Sequence, residues 1–192
     1  MPQNTQNNNN SRVITIPNIL SLFRIVLIPF IVWLYYDRKE YLLVGLVFIL
    51  SAATDIVDGF IARHYNAVSD LGKILDPFAD KLTQATLLVC LIPSFPLMLL
   101  PFSLMAVKEL FMVISGYAVI KKTGAVFSAY WHGKAATCML FLMMITHLFW
   151  HDINEIVSII LIAAASCMVA LSFVFYAIHN IKALKKDKQN KE

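Results

Sequence analysis

Six long apolar segments, about residues 18–36, 41–62, 74–93, 97–120, 134–150 and 154–181, leave this chain few ways to fold. A helix needs about 20 predominantly apolar residues to cross the hydrocarbon core of a bilayer, and each segment approaches that length. Polar or proline-containing breaks separate them: YYDRKE (35–40), the charged run 54–81, IPSFP (92–96), KKTGAVFSAYWHG (121–133) and HDINE (151–155). No internal repeat is visible. The chain is 59% hydrophobic and 15% charged, with a mean hydropathy of +0.69, which is too little charge for a surface that must face water. The expected fold is therefore an all-α integral membrane protein, a bundle of six transmembrane helices. One catalytic domain over 13–182 is expected, with a disordered polar N-terminus (1–12) before it and a basic cytoplasmic tail (183–192) after it. MPQNTQNNNN has no basic region followed by an apolar core, so it does not read as a cleaved signal peptide.

Lysine and arginine set the expected orientation. With the N-terminus inside, the inner connections hold Arg12, Arg63, Lys73, Lys81, Lys121, Lys122, Lys134, Lys182, Lys185, Lys186, Lys188 and Lys191, and the outer loops keep Arg38 and Lys39. That asymmetry puts both termini and the charged run in the cytoplasm. The net charge of +4 flanks apolar segments and forms no aromatic-interleaved surface, which excludes nucleic acid as a partner. Cys90, Cys138 and Cys167 all lie in apolar runs and read as small packing residues, without disulfide or metal spacing. Trp33, Trp131 and Trp150 fit an interfacial aromatic belt, and the methionines fit core or lipid-facing fill.

The run TDIVDGFIARHYNAVSDLGKILDPFADK (54–81) carries five aspartates inside an otherwise lipid-compatible sequence. Asp55 and Asp58 are three apart, and Asp76 and Asp80 four apart, so each pair shares a helix face. The short connection from Arg63 to Gly72 makes the two helices antiparallel neighbours whose four carboxylates can converge at the cytoplasmic boundary. A charged side chain deep in a membrane helix costs roughly 2.5–3.5 kcal/mol on insertion scales, so the cluster needs protonation, cationic partners or a bound metal. Arg63, Lys73 and Lys81 lie near enough to the interface to snorkel to water. Carboxylate-only ligation suits Mg²⁺ or Mn²⁺, as one ion or two. Gly59 and Gly72 admit either close helix packing or the approach of a bulky group. Beside metal ligands and an arginine they favour a phosphate-bearing substrate.

The pattern Asp55-x2-Asp58-Gly59-x2-Ala62-Arg63-x8-Gly72-x3-Asp76-x3-Asp80 resembles, at all eight fixed positions, the signature of the CDP-alcohol phosphatidyltransferases. IPNILSLFRIVLIP (16–29), DPFADK (76–81) and the Lys108-Glu109 pair are similar to the branch of that family whose acceptor is glycerol 3-phosphate. The resemblance implies transfer of a phosphatidyl group from CDP-diacylglycerol to that acceptor, with release of CMP. It implies metal ligation by Asp55, Asp58, Asp76 and Asp80, two-ion occupancy by Mg²⁺ or Mn²⁺, and a proton-accepting role for Asp80. Gly59, Ala62, Arg63 and Gly72 would shape the CDP-diacylglycerol pocket, joined by Asn18 and, on the phosphates, Arg24. A homodimer is implied as well.

An anionic acceptor needs cations. Lys81, Lys108 and Lys134 are the candidates for its phosphate, Lys108 above all because an amine inside an apolar helix is costly without a function. Glu109 is set about 100° around the helix from Lys108 and is expected to be a poor partner for it. Lys121 and Lys122 read as interface anchors. His132 adjoins the expected site, His147 and His151 fall at the far side, and His64 and His179 read as interfacial. Two rival readings stand. The first keeps the chemistry with another alcohol, inositol phosphate or serine, because the motif addresses only the CDP half. The second is a divalent-cation transporter, against which the carboxylates' clustering at one boundary counts. The lack of an Arg- and Ser-rich leading segment points to a bacterial plasma membrane.

Overall fold

The computed structural model describes the backbone of residues 16–64, 72–123 and 131–189, and side-chain surroundings for 19–54, 75–117, 119, 121 and 131–181. Its regular structure is helical: α1 (Ile16–Trp33), α2 (Tyr41–His64), α3 (Gly72–Leu91), α4 (Leu99–Thr123), α5 (Trp131–Phe149) and α6 (Glu155–Gln189). Each coincides with one of the six apolar segments to within a few residues at most ends. Among the described residues, three stretches, Ile19–Arg38, Pro96–Tyr117 and Glu155–Ile181, are long and apolar enough to cross a membrane, and Tyr41–Thr54 is a shorter apolar helix. Large apolar side chains such as Leu22, Phe23 and Val26 on α1, Leu110, Val113 and Ile114 on α4, and Ile156 and Ile160 on α6 are exposed. Apolar exposure on that scale suits hydrocarbon surroundings, not water.

The chain divides into two compact units, Met1–Cys90 and Leu91–Glu192. In the first, α1 packs on α2. The buried face of α1 runs through Ser21, Arg24, Ile31, Leu34 and Tyr35, and that of α2 through Val44, Phe48 and Ser51, both at helical spacing. α1 ends in a π-helical turn, Leu34–Arg38, closed by Lys39 in the left-handed region (φ 55°). The Glu40 N–H returns to the Leu34 carbonyl at 3.2 Å. This is how YYDRKE breaks the apolar run. The interior face of α3 runs from Ala79 through Thr83, Gln84, Leu87 and Leu88 to Leu91.

In the second unit, α4 and α5 both pack on α6. The buried stripe of α6 alternates small and large residues (Ser158, Ile162, Ala165, Val169, Ser172, Tyr176 and Asn180), and small side chains let membrane helices approach closely. Polar pairs fasten the helices together. Asn180 Nδ2 donates to Ser115 Oγ at 2.7 Å, joining α6 to α4. His147 is fully buried between α5 and α6. Its Nδ1 faces the Met143 carbonyl at 2.8 Å, and a carbonyl only accepts, so Nδ1 carries the proton. Nε2 then accepts from Ser158 Oγ at 2.9 Å. The Phe95 ring lies nearly perpendicular to the rings of both His147 and His151, with centroids 4.7 and 5.6 Å away.

Two features differ from the sequence reading. α6 continues to Gln189, through most of the stretch read as a separate basic tail. Residues 182–189 (KALKKDKQ) contain no glycine or proline and are dominated by good helix formers, so nothing local stops the helix. At about 1.5 Å per residue, α6 is longer than a hydrocarbon core is thick. Of the cysteines, Cys90 is buried as expected, but Cys138 and Cys167 are exposed on α5 and α6. They occupy helix faces turned away from the packed stripes and do not serve as interior fill.

The His147–Ser158 bond generates a stability prediction. Ser158→Ala leaves a buried imidazole nitrogen without its donor and should cost about 1–3 kcal/mol. This is measurable as a lower melting temperature of the detergent-solubilised protein. Ser158→Thr keeps the hydroxyl and should remain near wild type.

Candidate active site

Aspartates 76 and 80 and glutamine 84 form a column along α3, one helical turn apart. Asp76 is half-exposed, its side chain 46% accessible, and it lies at the upper end of that column. Its Oδ1 accepts from Ser21 Oγ at 3.1 Å and from an Arg24 guanidinium nitrogen at 3.5 Å. Both donors come from α1 and both are buried, Ser21 at 1% and Arg24 at 4% exposure. The i, i+3 spacing of 21 and 24 puts them on one face, so a single face of α1 holds one oxygen of Asp76. Arg24, expected from the resemblance to contact substrate phosphate, is engaged with this aspartate.

Asp80 is partly buried, and its Oδ2 accepts from Gln84 Nε2 at 2.8 Å. Below Gln84 the column becomes wholly apolar, with Leu87, Leu88 and Leu91 fully buried. Lys81 is partly buried beside Asp80 on the same helix. The sequence reading missed Gln84. The available signal was a second polar residue at four-residue spacing in an apolar helix, continuing the register of Asp76 and Asp80.

Asp55, Asp58, Gly59, Ala62 and Arg63 lie in α2, Gly72 begins α3, and Asn18 lies in the first turn of α1. The side chains of these seven are outside the described residues. Among the described residues no three His, Cys, Asp or Glu side chains converge, so the four-carboxylate cluster implied by the motif depends on Asp55 and Asp58. The described half fits a divalent cation in its chemistry: it supplies hard carboxylate oxygens oriented by a hydroxyl, a guanidinium and an amide.

The second unit holds its own polar group. Lys108 is buried on α4, with its side chain 9% exposed. Contrary to the expectation from helix geometry, its ammonium pairs with Glu109 at 3.0 Å. The Cα–Cβ vectors of adjacent residues do diverge by about 100°, but two long side chains can curl back toward each other. A buried ammonium strongly favours the nearest carboxylate. The Tyr176 ring of α6 lies 5.9 Å from the same nitrogen. His132 of α5 packs against Tyr176 and Phe175. A methyl group on Gly133 would come within 2.7 Å of the Tyr176 hydroxyl, so this glycine makes room for the ring. Lys134, next to it, is exposed at the start of α5.

A stripe of carboxylates held at one end of apolar helices, with the eight-position motif around it, defines a membrane-associated transferase acting on phosphoryl groups. The sequence model of the CDP-alcohol phosphatidyltransferase family matches residues 14–178, and the chain belongs to that family. Its curated relatives include CDP-diacylglycerol–glycerol-3-phosphate 3-phosphatidyltransferases. That of Sodalis glossinidius is 37% identical over 168 residues, covering 83% of this chain and 90% of the relative. That of Yersinia enterocolitica is 33% identical over 172 residues, covering 85% and 93%. That of Pectobacterium atrosepticum is 35% identical over 166 residues, covering 82% and 88%.

The tie between α1 and α3 can be measured. Arg24→Met and Asp76→Ala should each lower the melting temperature, because each removes one partner of a part-buried ion pair. The double variant should lose less than the sum of the two, with a coupling of about 1–2 kcal/mol. Additive losses would mean the two side chains do not interact. Gly133→Ala should also destabilise, by about 1–3 kcal/mol, through displacement of Tyr176.

Proposed function

We propose that this protein transfers the phosphatidyl group of CDP-diacylglycerol to sn-glycerol 3-phosphate, forming phosphatidylglycerol phosphate and CMP. The observation that carries the reading is the ordered column Asp76–Asp80 within the complete eight-position motif of an established family member. The relatives' names support glycerol 3-phosphate as acceptor. In this reading the acceptor hydroxyl attacks the lipid-side phosphorus, the bond from that phosphorus to the CMP oxygen breaks, and the hydroxyl proton passes to Asp80. Asp80 is suited to the task because it is partly buried and its carboxylate is oriented by a neutral amide donor. Arg63 contacts the diphosphate. Asn18, Gly59, Ala62 and Gly72 shape the CDP pocket, and Lys81, Lys108 and Lys134 supply cations for the acceptor phosphate.

Asp55, Asp58, Asp76 and Asp80 would hold the divalent metal, Mg²⁺ or Mn²⁺ in two sites, which neutralises charge on the diphosphate oxygens during phosphoryl transfer. Ser21 and Arg24 keep Asp76 oriented. The remaining parts of the proposal concern placement: one catalytic domain over 13–182, six membrane-crossing helices, both termini and the aspartate-bearing ends in the cytoplasm, a homodimer, and a bacterial plasma membrane. The distribution of Lys and Arg supports that orientation.

Purified protein supplied with CDP-diacylglycerol and separate alcohols should release CMP with glycerol 3-phosphate. Turnover with inositol phosphate or serine, and none with glycerol 3-phosphate, would refute the acceptor. Chelation should abolish release, and Mg²⁺ or Mn²⁺ should restore it. Asp80→Asn should lower kcat by at least about a hundredfold, within the range removal of a positioned proton acceptor usually costs. Near-normal turnover in that variant would remove Asp80 from its role.

A further inference from the structure

A buried amide in the interior of a membrane helix requires a partner, because an unpaired polar group there is costly. Gln84 is 2% exposed, and its Nε2 spends a hydrogen bond on Asp80 Oδ2 at 2.8 Å. Position 84 lies outside the eight fixed positions of the motif. We infer that Gln84 is a positioning residue that sets the orientation of the Asp80 carboxylate for proton acceptance, an inference that rests on the reading of Asp80 given above.

Three observations support this assignment. The first is register: 76, 80 and 84 continue one face of α3, so the amide approaches Asp80 along the helix from its apolar end. Its bond restrains rotation of the carboxylate about the last side-chain torsion, which is otherwise broad. The second concerns the neighbouring hydroxyl. Thr83 is buried beside Gln84, but its Oγ donates to the Ala79 carbonyl at 2.9 Å, back along its own helix. The amide is therefore the group at this level of α3 that addresses Asp80. The third is depth. Leu87, Leu88 and Leu91 follow Gln84 on the buried face of α3, so the amide is the last hydrogen-bonding side chain on that face before an apolar stretch.

The choice of an amide follows from charge. A lysine here would form an ion pair with Asp80 and oppose its taking a proton. A glutamate would repel it, and an apolar side chain would leave Oδ2 without this donor. An amide orients the carboxylate while adding no net charge to a site that must bind anionic substrate.

The test uses the full-length protein in detergent micelles, as wild type, Gln84→Met and Gln84→Glu. Met matches Gln in length and flexibility but cannot donate. Gln84→Met should lower kcat about tenfold to a hundredfold, the usual effect of losing a group that orients a metal-site carboxylate. KM for CDP-diacylglycerol should change less than threefold, and the melting temperature should hold or rise because a buried amide becomes apolar. Binding of Mn²⁺, followed by electron paramagnetic resonance without substrates, should weaken by a factor in the same range. Gln84→Glu should lose more of both.

If Gln84→Met keeps kcat and Mn²⁺ affinity within twofold of wild type, Gln84 is packing and the inference is overturned. If Gln84→Met does not fold, Gln84→Asn takes its place. That variant keeps the amide but is one methylene short of Asp80, so a kcat loss at unchanged melting temperature supports the inference and an unchanged kcat overturns it. The acceptor question separates cleanly. Should wild type turn over a different alcohol, kcat is compared with that alcohol. Should it release CMP with none, the Mn²⁺ affinities alone decide for or against Gln84.

Discussion

The pairing of Asp76 with Ser21 and Arg24 is the interaction on which the first unit depends. Neither charge is tolerable alone on a helix built to meet hydrocarbon. Arg24 is the more deeply buried of the two, and the aspartate offsets part of the cost of its charge. Asp76 is half-exposed, so one side of it faces the protein's support and the other remains accessible. The apolar faces of α1 and α3 fix no particular depth of one helix against the other. A hydroxyl and a guanidinium meeting one carboxylate oxygen do fix it, and so place the start of the Asp76–Asp80–Gln84 column.

The second unit follows the same rule with other chemistry. Polar groups near the two ends of α6 bridge to neighbouring helices, whereas the hydroxyls of Ser166 and Ser172, buried in the middle of α6, have no hydrogen-bond partner among the described residues. His147 and Ser158 join α5 to α6 at one end; Asn180 with Ser115, and Tyr176 with Lys108, join α4 to α6 toward the other. Between them the contacts are made by small and branched side chains. Interhelical hydrogen bonds in membranes average well under 2 kcal/mol, so each alone is a modest contribution to stability. Their greater effect is on register, since a helix sliding by one residue would leave several buried polar groups unpaired at once.

The helices were legible in the sequence because lipid imposes a simple requirement, a long unbroken apolar run, and YYDRKE, IPSFP and HDINE interrupt those runs where the structure turns. That Asp76 and Asp80 share a face was legible for a different reason: their four-residue spacing places both on one side of a helix, and α3 contains them both. The sequence was silent where an outcome depended on side-chain reach or on another helix. Backbone vectors argued against Lys108 pairing with Glu109, yet four methylenes and a carboxylate arm close the gap to 3.0 Å. Arg24 carried no mark of its attachment to Asp76, 52 residues away. Gln84 went unread because it lies outside the motif, although it continues the four-residue spacing of Asp76 and Asp80. The bond of His147 to Ser158 could not be read from the sequence, since it depends on how α5 and α6 meet.

The account rests on Asp76 and Asp80 of α3, held by Ser21, Arg24 and Gln84, and on the proposal that they ligate divalent metal. An experimental structure of crystals grown with Mn²⁺, with anomalous scattering recorded at the manganese edge, tests this directly. The account predicts anomalous peaks at about 2.0–2.3 Å from oxygens of Asp76 and Asp80, with Arg24 and Gln84 still bonded to those aspartates. Manganese bound elsewhere, or these carboxylates turned outward to the lipid face of α3, would contradict it.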